Sequence, residues 1–395
     1  MQRPSPDDLW SPEAHEEPAG APWNDARARQ TVAAICCDAE AAFDAERLWP
    51  AHPLDGEVEP GELKTLYLGA AGMVWALDRL ARAGVHAPAR DWAEVAVALA
   101  ADTESLPPSL LVGSTGILLV SWLLEPSAET ADRLAAAIAA NIGNETNELL
   151  WGSPGTMLAT SVLLDGTGDD RFADLWRRSA LQLLGVRDSD GCWTQLLYGT
   201  TSRYFGAGHG FAGNAHALLM RPELLDDPDG EAAAMTRVVL EHAIDIDGNA
   251  NWPPHADGPL EVQPGAIRVQ WCHGSPGIVT AFAGARPGNA DLTRILVAGG
   301  ELIWRAGPLR KGAGLCHGTA GNGFALLALF HRTGDEVWLE RARAFAMHAA
   351  GQVERARAEH GGGRYTLWTG DIGAAMLLER CLEGTERGFP TLDAW

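Results

Sequence analysis

A short Gly-x-x-Gly punctuation recurs seven times, as Gly69-Ala-Ala-Gly72, Gly113-Ser-Thr-Gly116, Gly152-Ser-Pro-Gly155, Gly210-Phe-Ala-Gly213, Gly274-Ser-Pro-Gly277, Gly318-Thr-Ala-Gly321 and Gly370-Asp-Ile-Gly373, with first glycines 39 to 64 residues apart. A chain with 45 glycines produces a few such motifs by chance. All seven, however, directly precede an apolar, helix-favouring run, for example Met73-Val-Trp-Ala-Leu, Ile117-Leu-Leu-Val and Asn322-Gly-Phe-Ala-Leu-Leu. Between the motifs lie amphipathic stretches with charged faces: Asp91 to Asp102, Glu129 to Asn141, Asp169 to Leu184, Glu231 to Ile244, Ala290 to Arg305 and Asp335 to Arg355. A further helix expected over Asn24 to Leu48 brings the pattern to seven amphipathic and seven mainly apolar helices in alternation.

A helix that is apolar all round must be enclosed by others, whereas an amphipathic one can present its polar side to water. Seven such pairs suggest a closed double ring, although the same alternation would build an open solenoid. In a ring the glycines stand where a loop leads into each inner helix, supplying positive φ and close backbone approach. The loops then gather at one end and share a cavity. This repeat accommodates residues 24–395 in one unit, where a length of 395 residues alone would suggest two or three domains. Residues 1 to 23, rich in Pro, Glu and Asp, read as a flexible acidic lead-in.

Composition narrows the partners. A formal net charge of −22 with no run of Lys or Arg repels a polyphosphate backbone and argues against nucleic acid. The N-terminus lacks the apolar stretch of a signal peptide, and the most apolar segment, Leu106 to Leu124, is broken by Pro107 and Pro108. A cytoplasmic protein without a membrane span is therefore expected. Six cysteines in so long a chain are not a disulfide framework, which leaves thiols or metal ligands.

Two of the seven motifs are preceded by the same potential ligands, Cys272-His273-Gly274 and Cys316-His317-Gly318. Thiolate and imidazole suit Zn²⁺, and loops of neighbouring repeats converging at a ring centre would bring residues 44 positions apart onto one ion. Four side chains would close a structural site, whereas three would leave a position for water or substrate. Adjacent residues project in different directions, which favours the open site. The bland reading is two buried free cysteines beside satisfied histidines.

Through Trp271-Cys272-His273-Gly274-Ser275-Pro276-Gly277, Leu315-Cys316-His317-Gly318-Thr319-Ala320-Gly321-Asn322 and Gly206-Ala207-Gly208-His209-Gly210, the sequence resembles the lanthionine synthetase C-like family, over roughly residues 60 to 380. The resemblance implies an all-α, seven-fold α/α toroid. It also implies one zinc held by Cys272, Cys316 and His317, with His273 outside the ligand set and a solvent or thiol as fourth ligand. The implied reaction is addition of a thiol, made nucleophilic at neutral pH, to the β-carbon of dehydroalanine or dehydrobutyrine. The enolate formed needs stabilisation and a proton.

The same resemblance implies roles for four more residues. His209 matches the family's proposed acid/base histidine, and Arg268 an arginine thought to assist at the site; by themselves they would read as a structural residue and a surface charge. Glu148 stands where peptide-cyclising members tend to carry Asp, its plain alternative being a partner for a helix dipole. Lys311 resembles the lysine of the glutathione-binding branch, and otherwise reads as a solvated loop residue. Together, Glu148 and Lys311 tilt the expectation from ring closure on a peptide cysteine toward glutathione, with the dehydroamino acid made by a separate dehydratase or after a kinase. Two rivals stand beside this reading. One is a module that binds zinc and glutathione without turnover. The other is a carbohydrate-active toroid using paired carboxylates and some of the 15 tryptophans, which leaves the repeated Cys-His pair unexplained.

Overall fold

The structure, a computed structural model, describes residues 5–18, 20–56, 61–258, 267–384 and 387–395. Each Gly-x-x-Gly opens a helix: α2 (Ala70–Arg82), α4 (Ser114–Leu124), α6 (Ser153–Thr167), α8 (Phe211–Leu219), α10 (Ser275–Phe282), α12 (Thr319–Thr333) and α14 (Asp371–Glu383). Each of these packs on the next, and α14 packs on α2, so the inner ring is closed. Outside it lie α1 (Asp25–Ala42), α3 (Trp92–Ala100), α5 (Ala128–Asn141), α7 (Asp170–Gly185), α9 (Pro228–Glu241), α11 (Ala290–Ala306) and α13 (Glu336–His360). This is the all-α toroid expected, and it excludes the open solenoid.

The two rings start their helices by different chemistry. Every outer helix is capped by a side chain that accepts a hydrogen bond from its first turn, from Asn24, Asp91, Ser127, Asp169, Asp227, Asn289 and Asp335 in chain order. Every inner helix is capped by the first glycine of its motif, with no side-chain cap. Of these seven glycines only Gly274 has positive φ, at 96°, so left-handed backbone is not the general reason for them. Close approach is. A Cβ on the second glycine of each motif would strike the carbonyl oxygen three residues before the first glycine of its own loop. It would also press on the equivalent side chain of the preceding repeat: Gly116 on Leu66, Gly155 on Leu110, Gly213 on Leu149, Gly277 on Ala207, Gly321 on Trp271, Gly373 on Leu315, and across the closure Gly72 on Leu367.

Backbone hydrogen bonds run between the same loops. From the residue two before the first glycine, N–H donates to the equivalent carbonyl of the next repeat: Gly208 to Cys272, Cys272 to Cys316, Cys316 to Trp368, Trp368 to Tyr67 and Tyr67 to Leu111. The lumen is packed rather than open. Phe389, from the C-terminal segment, stacks on Trp271 with ring centroids 5.4 Å apart and lies 5.6 Å from Trp368.

Several expectations need correction. Ser5–Pro18 is not a loose lead-in along its described length: Leu9 is fully buried, its carbonyl accepts from Asn251, and Glu16 is hydrogen-bonded to His348 and Arg355. Burial of Leu9 and Trp10, together with these bonds, offsets the ordering entropy that its composition suggested it could not meet. Helix α1 ends at Ala42 rather than Leu48, because the Asp44 carboxylate takes the N–H groups of Glu46 and Arg47 into a turn. Helix α9 ends at Glu241, and Ile244 begins a hairpin of β3 (Ile244–Ile246) and β4 (Asn249–Asn251). A second hairpin joins β1 (Gln195–Leu197) to β2 (Thr200–Ser202). Among the described residues no helix is long and apolar enough to cross a membrane.

The glycine contacts predict an asymmetry between two alanine substitutions. Gly116→Ala drives a methyl group into Leu110 and Leu66 and is expected to destabilise by about 1–3 kcal/mol. Gly185→Ala, at the open end of α7 with nothing near its Cβ position, is expected to be neutral or to stabilise by about 0.5–1 kcal/mol. Thermal or urea unfolding of the two variants checks the pair.

Candidate functional site

The belt of loop-to-loop hydrogen bonds sets two successive side chains of each repeat at one mouth of the ring. Cys272 and Cys316 occupy the belt position itself, and His209, His273 and His317 the position after it, just before the first glycine of repeats four, five and six. The loop of the fourth repeat lies flush against Cys272. A Cβ on Gly208 would stand 2.9 Å from that of Cys272, which explains the glycine-rich run before His209.

The ligand atoms of Cys272, Cys316 and His317 all lie within 4.8 Å of one another, both cysteines being buried. Two sulfurs and one imidazole nitrogen at this separation fit a tetrahedral ion with bonds of about 2.3 Å to sulfur and about 2.0 Å to nitrogen. His273 is not part of the group. Its ring faces His209 and Tyr204, with centroids 6.4 and 5.8 Å away, and its Nδ1 is buried without a hydrogen-bond partner.

The electrostatics distinguish these two cysteines from the others. Burial pushes the thiols of Cys36 and Cys192 up to about 12 and raises Cys381 further, as expected for inert core residues. Cys272 moves the other way. A hydrogen bond from the Cys316 thiol holds it well below the usual thiol range, burial opposes this, and His317 adds a second hydrogen bond. Cys316 is correspondingly raised by its bond to Cys272 and by burial. The hydrogen bond between the two thiols thus favours the anionic form at Cys272 over Cys316. The amide of Gln270 donates to the Cys272 sulfur at 2.9 Å. Tyr67, its pKa raised by burial and then by the charge and hydrogen bond of Cys316, stays a neutral phenol beside that sulfur.

Glu148, buried, and His209, half-buried, form a pair beside Cys272. The Glu148 carboxylate is fully buried and accepts from the N–H groups of Leu150 and Trp151. It lies 2.9 Å from His209 Nδ1. A proton on Nδ1 donated to Glu148 leaves Nε2 as the exchangeable nitrogen. Burial lowers the pKa of His209, but the hydrogen bond and charge of Glu148, with the Cys272 thiolate, outweigh it and leave the pKa raised. His273, without a carboxylate, has its pKa lowered by burial first.

The remaining two expected residues lie further out. The Arg268 side chain is exposed and makes no hydrogen bond or ion pair among the described residues; its charge reaches His273, whose pKa it helps lower. Lys311 is exposed on the rim of a cleft of about 250 Å³, beside Arg310, Arg355 and Arg364. Arg310 is bonded to the carbonyls of Glu13 and His15, Arg355 to Glu16 and Arg364 to Asp55, whereas Lys311 has no partner among the described residues. Its charge is felt at Cys316.

Tyr67, Gln270 and Asn251 were missed by sequence reasoning. Tyr67 had a usable signal, because it occupies in the first repeat the register position of Cys272 and Cys316. Asn251 had none. Its side chain ties the N-terminal segment, β4 and the start of α10 together, donating to the carbonyls of Leu9 and Arg268 and accepting from Ser275 N–H.

Comparison with known proteins gives one family and one fold. The family described as lanthionine synthetase C-like protein matches residues 62–394. A LanC-like protein, GCL1, from Arabidopsis thaliana is 31% identical over 216 residues, 52% of this chain and 47% of that protein. Glutathione S-transferase LANCL1 from Danio rerio is 32% identical over 168 residues, 42% of this chain and 40% of that protein. The matched stretches thus span less than half the length of these curated relatives. Among solved structures, nisin cyclase shares the fold with a TM-score of 0.60 at 15% identity, covering 89% of this chain and 93% of its own.

The Glu148–His209 contact has a measurable consequence. In Glu148→Gln the carboxylate no longer offsets burial, so His209 is expected to titrate at lower pH than in the wild type. The sign for stability follows. A raised imidazole pKa contributes stability that is fully present below the unfolded value and is lost as pH rises through the folded one, so the variant loses most at the acid end. Imidazole NMR titration and unfolding at several pH values check both.

Proposed function

The chain belongs to the lanthionine synthetase C-like family, and from that premise we propose that it is a zinc-dependent enzyme that adds a thiol, with glutathione favoured, to a dehydroamino acid in a peptide. The observation that carries the reading is the juxtaposition of the Cys272, Cys316 and His317 group with a carboxylate-anchored His209. A metal-binding module needs the first and has no use for the second.

Zn²⁺ held by Cys272, Cys316 and His317 would supply the charge that keeps a substrate thiol in its thiolate form at neutral pH. The chain's own residues do the rest. Glu148 fixes the His209 ring and its tautomer, leaving Nε2 to take the proton released by the thiol. As sulfur bonds to the β-carbon, the π electrons shift into an enolate, and the proton on Nε2 passes to the α-carbon; no atom or electron is left over. Gln270 and Tyr67 fix the two sulfurs by hydrogen bonds, so that the donor set is held in place before any ligand arrives. Lys311, the cation of the cleft with no carboxylate partner among the described residues, suits a carboxylate of glutathione. A cysteine within the peptide, as in ring closure, would make no such demand on it.

Two outcomes test this reading. Purified wild-type protein is expected to carry one zinc per chain, and Cys316→Ala to lose it, as read by metal analysis. His209→Asn should keep the zinc and lose about 10²- to 10⁴-fold in adduct formation, measured by mass spectrometry of a dehydroalanine peptide with glutathione. The thiol is tested separately: Lys311→Ala should raise KM for glutathione while leaving a neutral thiol such as N-acetylcysteamine unaffected. Equal effects on both thiols would assign Lys311 to structure and favour a peptide cysteine.

A further inference from the structure

The hairpin β1–β2 stands beside His209 and is built in a way that its own stability does not explain. Its two-residue turn, Tyr198-Gly199, has φ of 52° and 75°. The hairpin β3–β4 has the same kind of turn at Asp247-Gly248, with φ of 49° and 75°. Asp-Gly is the sequence such a turn favours, because both positions need left-handed backbone. Tyrosine at the first position is strained, and 73% of its surface is left in water, so neither conformation nor burial recommends it. Leu196, two residues earlier on the outward side of β1, is 44% exposed.

The Tyr198 side chain is continuous with the site. The Trp151 indole donates to the Tyr198 hydroxyl at 3.4 Å, and the two rings meet edge to face with centroids 6.4 Å apart. Tyr198 meets the His209 ring in the same manner at 6.3 Å, and His209 leads on to Tyr204 and His273. Trp151 is the residue before Gly152 and so occupies in its repeat the register position of His209 and His317. The backbone N–H of Trp151 is also bonded to Glu148. An apolar shelf thus runs from solvent to the His209–Glu148 pair. At about 3.3–3.6 Å per extended residue, it lies one or two residues from a group reacting at His209.

We propose that Trp151, Leu196 and Tyr198 form the docking shelf for an aromatic or branched aliphatic side chain of the peptide, one or two residues from its electrophilic residue. This rests on the reading that the substrate is a peptide. With 52 acidic against 30 basic residues, the chain favours a neutral or basic peptide over an acidic one. The strain at Tyr198 is kept because an aromatic ring is needed at that point, where asparagine or aspartate would fold better.

The test measures binding apart from turnover. Peptides carrying alanine in place of dehydroalanine, flanked within two residues on both sides by phenylalanine or by serine, are titrated calorimetrically against the full chain and against Tyr198→Asn. Wild type is expected to bind the phenylalanine peptide at least tenfold more tightly, and Tyr198→Asn to reduce that preference below threefold. Its thermal midpoint should be no lower than wild type's, since the substitution relieves strain. Equal binding of both peptides by wild type, or an undiminished preference in Tyr198→Asn, overturns the shelf. Dehydroalanine versions of the same peptides with glutathione separate the two readings. Adducts formed equally well with either flank remove the shelf and keep the enzyme, whereas a flank preference in binding with no adduct removes the enzyme and keeps the shelf.

Discussion

The structure depends on how closely seven loops can approach one axis. Glycine at the second motif position lets each inner helix seat its first turn on the carbonyl of its own loop and on a side chain of the loop before it, and this contact is repeated across the closure from Gly72 to Leu367. The belt from Gly208 through Cys272, Cys316, Trp368 and Tyr67 to Leu111 then satisfies backbone groups that would otherwise be buried unpaired near the ring centre. Closure and hydrogen bonding are here one constraint. A side chain at any of these glycines would open the gap that the belt has to span.

The same constraint makes a site. Because belt positions recur at fixed register, whatever side chain follows in each repeat is delivered to a common mouth, and chemistry can be assembled from residues 44 apart with no local motif joining them. Cys272 and Cys316 are bonded to one another's loops by backbone, N–H of the first to carbonyl of the second. The fold itself therefore brings the two cysteines side by side. The belt is interrupted at Leu150, whose N–H goes to the Glu148 carboxylate. That exchange keeps a fully buried carboxylate satisfied on three sides, by two backbone N–H groups and His209. In this arrangement a backbone irregularity and the anchoring of a histidine share one cause.

What the sequence made legible follows from what repeats. The Gly-x-x-Gly spacing carried the double ring, and the doubled Cys-His carried a shared thiolate and imidazole site, because both signals were present more than once; the choice of Cys272, Cys316 and His317 from its four side chains came from the family resemblance. The reason assigned to the glycines was incomplete, since periodicity reports where a residue is needed and not whether φ or steric space demands it; only Gly274 uses positive φ. The N-terminal segment misled for a different reason. Its composition is that of a disordered chain, yet two apolar residues, Leu9 and Trp10, and the paired Glu16 suffice to seat it. Non-repeating contacts such as Asn251 with Leu9, 242 positions apart, leave no trace in one sequence.

The two hairpins show how a local rule and a broken local rule carry different information. Asp247-Gly248 obeys turn chemistry, and nothing beyond the turn is needed to account for it. Tyr198-Gly199 places a large aromatic ring where the backbone disfavours one, in a molecule that elsewhere puts most of its aromatic rings in the core. Of the six large hydrophobic side chains that stand exposed among the described residues, two, Leu196 and Tyr198, belong to this one hairpin. The Tyr198 ring meets both Trp151 and His209. A fold whose loops are pulled inward by backbone pairing has little freedom to present an apolar surface at its mouth. The hairpin stands outside the belt, so its exposed side chains can change without disturbing the sulfurs and imidazoles held behind it.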